Sequence, residues 1–353
     1  MTDIFTTACI NPSTYNAIAK SIHRHKLNLN TPAKIKEFIK NDVEYKHIYL
    51  TKMEECLSKT ILYKSLINEG TDKYDMSDCT FIIPFKKDFD ERLDNLSCLL
   101  NYIGKHFNTK IIVFEQGKEC SFDKIKFKYT TNIDYYFLNI DEIFSRTMVS
   151  NYLITKSDTD IIIINDTDCI TIPNAYVICR DKLLNDNFKL LHPFGTPPGS
   201  FEITDKQSFM EDFDINVLIK NITSNANTAG VGGIVFINRK LYSLLGNENI
   251  HFISYSPEDI ERVFRIRRLG YKCSESLNNT LAGPNNKYID APLFHLCHPR
   301  TSESTILHKY YIPNELLHHC LNNLNTYELI EYYYKKSNYN GSIEEYKIEL
   351  QNS

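Results

Sequence analysis

The chain has 353 residues, with 40 basic against 44 acidic side chains and a formal net charge of −4. That length can enclose one large core or two smaller ones, and 42% hydrophobic with 24% charged residues excludes disorder as the main state. The balanced charge lacks the basic excess that phosphate neutralisation needs, which excludes a nucleic-acid partner held in that way.

Ten cysteines stand singly, and no pair has the two-residue spacing of a zinc or redox site. The first residues, Met1 to Thr7, carry no basic start and no apolar stretch, and nowhere do about 18 apolar residues run together. The expectation is therefore a cytoplasmic chain with free cysteines, no signal peptide and no membrane span. Tryptophan is absent beside 23 tyrosines and 20 phenylalanines, and glycine, at 12 residues, is about half its usual ~7% share. Abundant Asn, Ile and Lys attribute that bias to an AT-rich genome.

In chain order, residues 1–76 read as a helical N-terminal extension. Pro32 opens one helical stretch, and Met53, Cys56, Leu57, Ile61, Leu62 and Leu66 mark a second. Residues 77–302 alternate short apolar runs with amphipathic helices. Thr80–Phe85, Lys110–Phe114, Asp160–Ile164 and Gly233–Ile237 are strand candidates; Leu93–Phe107, Phe144–Lys156 and Pro257–Leu269 are helices, the last stopped by Gly270. Strands apolar on both faces and separated by helices predict an α/β fold with a mostly parallel, Rossmann-like central sheet flanked by helices. Residues 303–353 read as a helical C-terminal extension.

Four segments carry chemistry. Four isoleucines run into Asn165-Asp166-Thr167-Asp168, which is either a polar turn or a carboxylate pair for a divalent cation at a strand's carboxyl end. His295 and His298 are either packed and solvated singly or converge on a metal. Ser256-Pro257-Glu258-Asp259 makes a complete helix start, with Ser256 as N-cap and Asp259 closing a capping box; the same acids could supply a general base. Gly230, Gly232 and Gly233 cluster before a strand in this glycine-poor chain, which permits close backbone approach to a ligand.

Taken in order, Ile82-Ile83-Pro84-Phe85-Lys86, Phe144-Ser145-Arg146, Asp166-Thr167-Asp168, Gly232-Gly233, Glu258-Asp259 and His295-Leu296-Cys297-His298 resemble the metal-dependent β-1,4-galactosyltransferases. Chondroitin-type polymerases and N-acetylgalactosaminyltransferases are relatives of that family, and the similarity spans about 79–300. The resemblance implies a glycosyltransferase-A fold and inverting transfer of a hexose or N-acetylhexosamine from a UDP-sugar to a glycan hydroxyl. Pro84, Phe85, Lys86, Phe144 and Arg146 then look like the uridine and diphosphate side, and Asp166 and Thr167 the ribose or donor-sugar side. Gly232, Gly233 and Tyr255 look like donor and acceptor contacts. Asp168, His295 and His298 resemble the metal ligands, for Mn²⁺ with Mg²⁺ as the alternative. Asp259 resembles the catalytic base, with Glu258 beside it. Tyr255 stands where the family has a tryptophan-containing mobile loop, and Gly230 stands at its aromatic donor gate, which leaves room for an N-acetyl group. The competing readings are a nucleotidyltransferase and a non-catalytic nucleotide- or carbohydrate-binding protein.

Overall fold

Strands that are apolar on both faces must be covered on both faces, and the computed structural model shows how this chain does it. It describes residues 32–64, 73–129, 132–195, 199–220, 222, 231–273, 291–305 and 308–353. Seven strands form the central sheet: β1 (Ile61–Lys64), β2 (Tyr74–Lys86), β3 (Phe107–Gly117), β4 (Asn132–Asn139), β5 (Ile161–Asn165), β7 (Leu190–Leu191) and β9 (Ile234–Asn238), in the order β1-β4-β3-β2-β5-β9-β7. Neighbours from β4 to β5 are parallel, whereas β1 and β9 run against them. Three further strands, β6 (Cys169–Ile170), β8 (Ser200–Ile203) and β10 (Leu293–Leu296), form a small sheet in the order β6-β10-β8. The α/β class and the helix-flanked central sheet read from the sequence are both present, but the sheet is mixed: its parallel part is the four strands β4-β3-β2-β5, and the pairings of β1 with β4, β5 with β9 and β9 with β7 are antiparallel.

Alternation along each strand sorts side chains into two cores. Phe81, Ile83, Ile161 and Ile163 enter one, against α2 (Asp90–His106) and α4 (Pro173–Asn185). Ile82, Ile162 and Ile164 enter the other, against α3 (Arg146–Ile154), α7 (Arg239–Leu244) and α8 (Glu258–Arg268). The four isoleucines of β5 are at most 1% exposed, and each such burial contributes about 1.5–3 kcal/mol. Two short helices, α5 (Gln207–Asp212) and α6 (Ile215–Lys220), lie between the small sheet and β9 in sequence. Three helices, α9 (Tyr311–Asn323), α10 (Thr326–Lys336) and α11 (Ile343–Asn352), end the chain. Tyr346 and Leu350 of α11 sit in the second core beside Tyr49, Leu50 and Met53 of α1 (Pro32–Leu57).

The N-terminal reading needs one change. Periodicity extends a helix through Ile61 and Leu62, but α1 ends at Leu57 in a turn, where Lys59 N donates to Cys56 O at 2.9 Å. Ile61–Lys64 instead pairs antiparallel with β4. The edge of β4 offers unpaired backbone groups, and a β-branched and aromatic segment satisfies them.

All nine described cysteines are free. Among the described residues no helix is long and apolar enough to cross a membrane.

Two buried histidines make stability depend on pH. Burial pushes His192 and His318 down to about 4 from the usual 6.5. Between those values the unfolded chain takes up protons that the native state refuses, so the contribution of these two histidines to stability is complete above about pH 6.5 and falls as pH drops toward 4. Each histidine is expected to remove on the order of 3 kcal/mol across that window. Calorimetric melting of wild type beside His318→Gln from pH 7.5 to 4.5 checks this contribution: relative to wild type, the variant should lose less stability as pH drops.

Candidate active site

In open α/β sheets the strand order and direction decide where loops converge, and here they converge at the carboxyl ends of β2 and β5. Pro84–Lys86 closes β2, and Asp166–Asp168 leaves β5. Because β9 is antiparallel to β5, with Asn165 opposite Ile234, Gly232 and Gly233 enter β9 at the same end. Phe144 and Arg146 come from the start of α3, where Ser145 caps Met148 N. Tyr255 and Glu258 lead into α8. A cleft of about 200 Å³ is lined by Pro84, Phe85, Lys86, Phe144, Arg146, Asp166, Thr167, Asp168, Tyr255 and Glu258, joined by Asp88, Arg92, Ser254, Thr301, Glu303 and Ser304. Phe85 is 1% exposed and its ring belongs to the core, so it contributes little of the cleft wall.

Arg146 ties the floor together. Its Nη2 lies 2.8 Å from Asp166 Oδ1, and its Nη1 lies 3.2 Å from Glu258 Oε1 and 3.4 Å from Asp259 Oδ1. Asp259 has a second cation, with Arg262 Nη2 at 3.1 Å. Burial disfavours ionising either acid of the pair, yet they part company. Arg146 and Arg262 hold Asp259 below the ordinary carboxylate range, whereas burial and then the Asp259 charge push Glu258 well up. Asp259 is therefore the more readily ionised member of the pair, and Glu258 the one that resists ionising.

The predicted cap is not made this way. Pro257 occupies the N-cap position with no side-chain bond, and Ser256 Oγ donates instead to Glu258 Oε2 at 2.6 Å. Asp259 turns to the two arginines rather than to Ser256, because two charge-assisted contacts outweigh one neutral cap. The capping-box reading is thus corrected.

The small sheet assembles the other half of the site. β10 pairs with β6 so that His295 opposes Cys169, and Leu296 N donates to Asp168 O at 2.7 Å. His298 Nε2 then lies 2.8 Å from Asp168 Oδ2, and His295 Nε2 lies 3.8 Å from Asp168 Oδ1. One ligand atom from each of the three falls within 4.8 Å of the others. Both rings spend Nδ1 elsewhere: His295 donates to Glu202 Oε2 at 2.8 Å and His298 to Pro299 O at 2.6 Å. Such partners fix the tautomer and aim the Nε2 lone pair, as behind metal-bound imidazoles. Two lone pairs pointed at a carboxylate require a cation or a proton between them, so this donor set fits a divalent metal ion. Asp166, Asp168 and Cys169 form a second triad. Burial and the neighbouring carboxylates push the Cys169 thiol far up, so it stays protonated and is a poor ligand.

The glycines are placed differently from the donor contacts expected of them. A Cβ at Gly232 would stand 2.5 Å from Asp259 Oδ2, and Gly233, at φ +93°, accepts Asp166 N on its carbonyl at 2.7 Å. Both support the acids from beneath and neither lines the cleft. Gly230 lies outside the described residues. Tyr255 is 49% exposed and stacks on Tyr311 at 6.4 Å and 18°. The loop before it is held: Asn314 Nδ2 donates to Ile253 O at 2.7 Å and His308 Nε2 to Tyr255 O at 2.6 Å. Ser254, in the left-handed region at φ +63°, donates to Glu303 O at 2.6 Å.

Glu202, Arg262 and Glu303 were missed by sequence reasoning. Glu202 meets His295 only through the parallel register of β8 and β10, where the two are direct partners. Arg262 carried a signal that could have been used, a charge three residues after Asp259 on one helix face.

No protein-family model matches the chain, and no curated protein does. Solved structures similar to it include the catalytic domain of Drosophila β-1,4-galactosyltransferase 7 in complex with xylobiose, at 17% identity over 59% of this chain and 68% of that one, with a TM-score of 0.32. A mannosyltransferase from Pyrobaculum calidifontis with GDP-mannose and Mn²⁺ is similar at 13% identity over 72% and 65%, TM-score 0.35. Glucosyl-3-phosphoglycerate synthase from Mycobacterium tuberculosis, with Mn²⁺, UDP-glucose and phosphoglyceric acid, is similar at 13% identity over 69% and 79%, TM-score 0.38.

Proposed function

We propose that the chain is an inverting glycosyltransferase of the glycosyltransferase-A type, transferring a hexose or N-acetylhexosamine from a UDP-sugar to a glycan hydroxyl. The observation that carries this is Arg146, which binds Asp166 on one side and the Glu258–Asp259 pair on the other. Glu258 of that pair and Asp168 of the Asp168–His295–His298 cluster thereby line one cleft.

Asp259 is the carboxylate of the pair, so it accepts the proton of the acceptor hydroxyl. The hydroxyl oxygen bonds to the anomeric carbon from the face opposite the diphosphate, and the bond from that carbon to the phosphate oxygen breaks, its electron pair leaving on UDP. One displacement inverts the centre. Lys86 and Arg146 face the cleft as cations for the departing diphosphate, and Tyr255 offers an exposed ring beside the acids for a sugar face. Asp168, His295 and His298 would hold Mn²⁺ or Mg²⁺, which neutralises charge on a diphosphate when bound.

The test is a panel of UDP-sugars with and without Mn²⁺, scored by thermal shift and by product. A matched donor at about 100 times its Kd stabilises by about 2.7 kcal/mol, a rise of several degrees that requires both sugar nucleotide and metal. Turnover releases UDP. Release of pyrophosphate from a nucleoside triphosphate would establish the nucleotidyltransferase reading instead.

One acidic side chain opposes donor entry. Glu303 Oε2 sits 2.8 Å from Lys86 Nζ and 3.3 Å from Phe144 N, within the cleft. A donor diphosphate has to displace it. Glu303→Gln is expected to tighten UDP binding roughly three- to ten-fold, a modest gain because the ion pair is partly solvated, and titration calorimetry measures it.

A further inference from the structure

Helix α8 buries Val263 and Ile266, and Arg262 is buried with them at 1% exposure. A guanidinium at such a position costs desolvation that an apolar side chain would not incur. Its contacts show what the cost is spent on. Arg262 donates to Glu248 Oε1 from Nη2 at 2.6 Å and from Nε at 3.0 Å, and Nε also reaches Tyr242 Oη at 3.2 Å. Its Nη2 lies 3.1 Å from Asp259 Oδ1. Glu248 is fixed in turn by Asn151 of α3: Asn151 Nδ2 donates to Glu248 O at 2.9 Å, and Glu248 N donates to Asn151 Oδ1 at 2.8 Å. Arg146 begins that same helix. Both guanidinium groups on Asp259 are therefore anchored to α3, one directly and one through Glu248.

We propose that Arg262 is a positioning residue for transfer: it pins the Asp259 carboxylate between Arg146 and the bare α-carbon of Gly232, and so sets both the direction and the charge of the base. The inference rests on the transferase reading of Asp259. Arg262 does not line the cleft and acts only through its neighbour. The pin matters because Asp259 is crowded by other acids. Glu258 adjoins it on α8, and Asp166 lies on the far side of Arg146; the other cations and titratable groups acting on it are Arg146 of α3 and His192 beside β7. Gly232 closes the remaining side, since any Cβ there would meet Oδ2.

The test compares wild type, Arg262→Lys, Arg262→Met and the double variant Arg262→Met with Glu248→Gln. The double variant removes both buried charges together, so it keeps its fold where the single one leaves Glu248 unpaired. The readout is UDP release from UDP-N-acetylgalactosamine or UDP-galactose with Mn²⁺ and water as acceptor, between pH 4 and 8, a range whose lower end an acid limb raised from below the usual carboxylate range would enter. In the double variant the acid limb of kcat/KM should move up by about one pH unit. Its kcat should fall roughly 10- to 100-fold at unchanged donor KM, and Arg262→Lys should recover most of both. An active wild type beside a folded double variant with an unmoved limb and unchanged kcat overturns the proposal alone. A wild type that releases UDP from no member of the UDP-sugar panel, and binds none in calorimetry, overturns the transferase reading and this proposal with it.

Discussion

Asp259→Asn is expected to abolish transfer while leaving donor binding intact. The replacement keeps the shape of the side chain, so its packing against the bare α-carbon of Gly232 and the geometry at Arg146 and Arg262 persist. What disappears is the proton acceptor, and general-base catalysis of this kind is worth roughly 10²- to 10⁴-fold. Asp259 does not line the donor cleft, so calorimetric binding of UDP with Mn²⁺ should match wild type. Glu258 becomes easier to ionise once the neighbouring charge is gone, because that charge is one cause of its raised pKa. It cannot substitute cleanly, since Ser256 Oγ and Arg146 already engage its two oxygens. Activity above about a tenth of wild type would remove Asp259 from the role of base.

Asp168→Ala should give the second large effect, and it should fall on metal affinity. Asp168 supplies both oxygens that face His295 Nε2 and His298 Nε2. Without it, two imidazoles remain with no anionic ligand between them, and hard divalent ions bind such pairs weakly. Binding of Mn²⁺ in the presence of UDP is expected to weaken by at least roughly 100-fold, with turnover falling in step. The fold should survive: the structural bond in this loop is the main-chain one from Leu296 N to Asp168 O, which alanine retains. Circular dichroism and a manganese titration by calorimetry separate the two outcomes. Full turnover by this variant without metal would contradict the metal-assisted reading.

The sheet was legible in the sequence because its strands are buried on both faces, and a run such as Ile161–Ile164 has no other stable use. Legibility failed where a segment's state depends on a distant partner. Ile61–Lys64 is helical by periodicity and becomes a strand only because β4 presents an open edge. Asp166, Asp168, His295 and His298 could be found as motifs, since each pair is close in sequence. Glu202 could not, because a single glutamate gains meaning only from a register with His295, 93 residues further on. The acid pair shows the opposite failure. Local rules offered Ser256-Pro257-Glu258-Asp259 a complete capping explanation, and tertiary charges from Arg146 and Arg262 overrode it.

The ties between the C-terminal helices and the loop at Ser254-Tyr255 bear on how the chain can be cut or recombined. His308 and Asn314 hold the main chain of residues 253–255, Tyr311 backs the ring of Tyr255, and α11 fills the core beneath α7 with Tyr346 and Leu350. A shortened chain ending near residue 302 would keep every one of the motifs read from the sequence, yet lose the contacts that hold the main chain of residues 253–255 and the ring of Tyr255. Grafting this tail onto a related sheet, or exchanging it, would therefore move Tyr255 and its loop rather than remove an accessory.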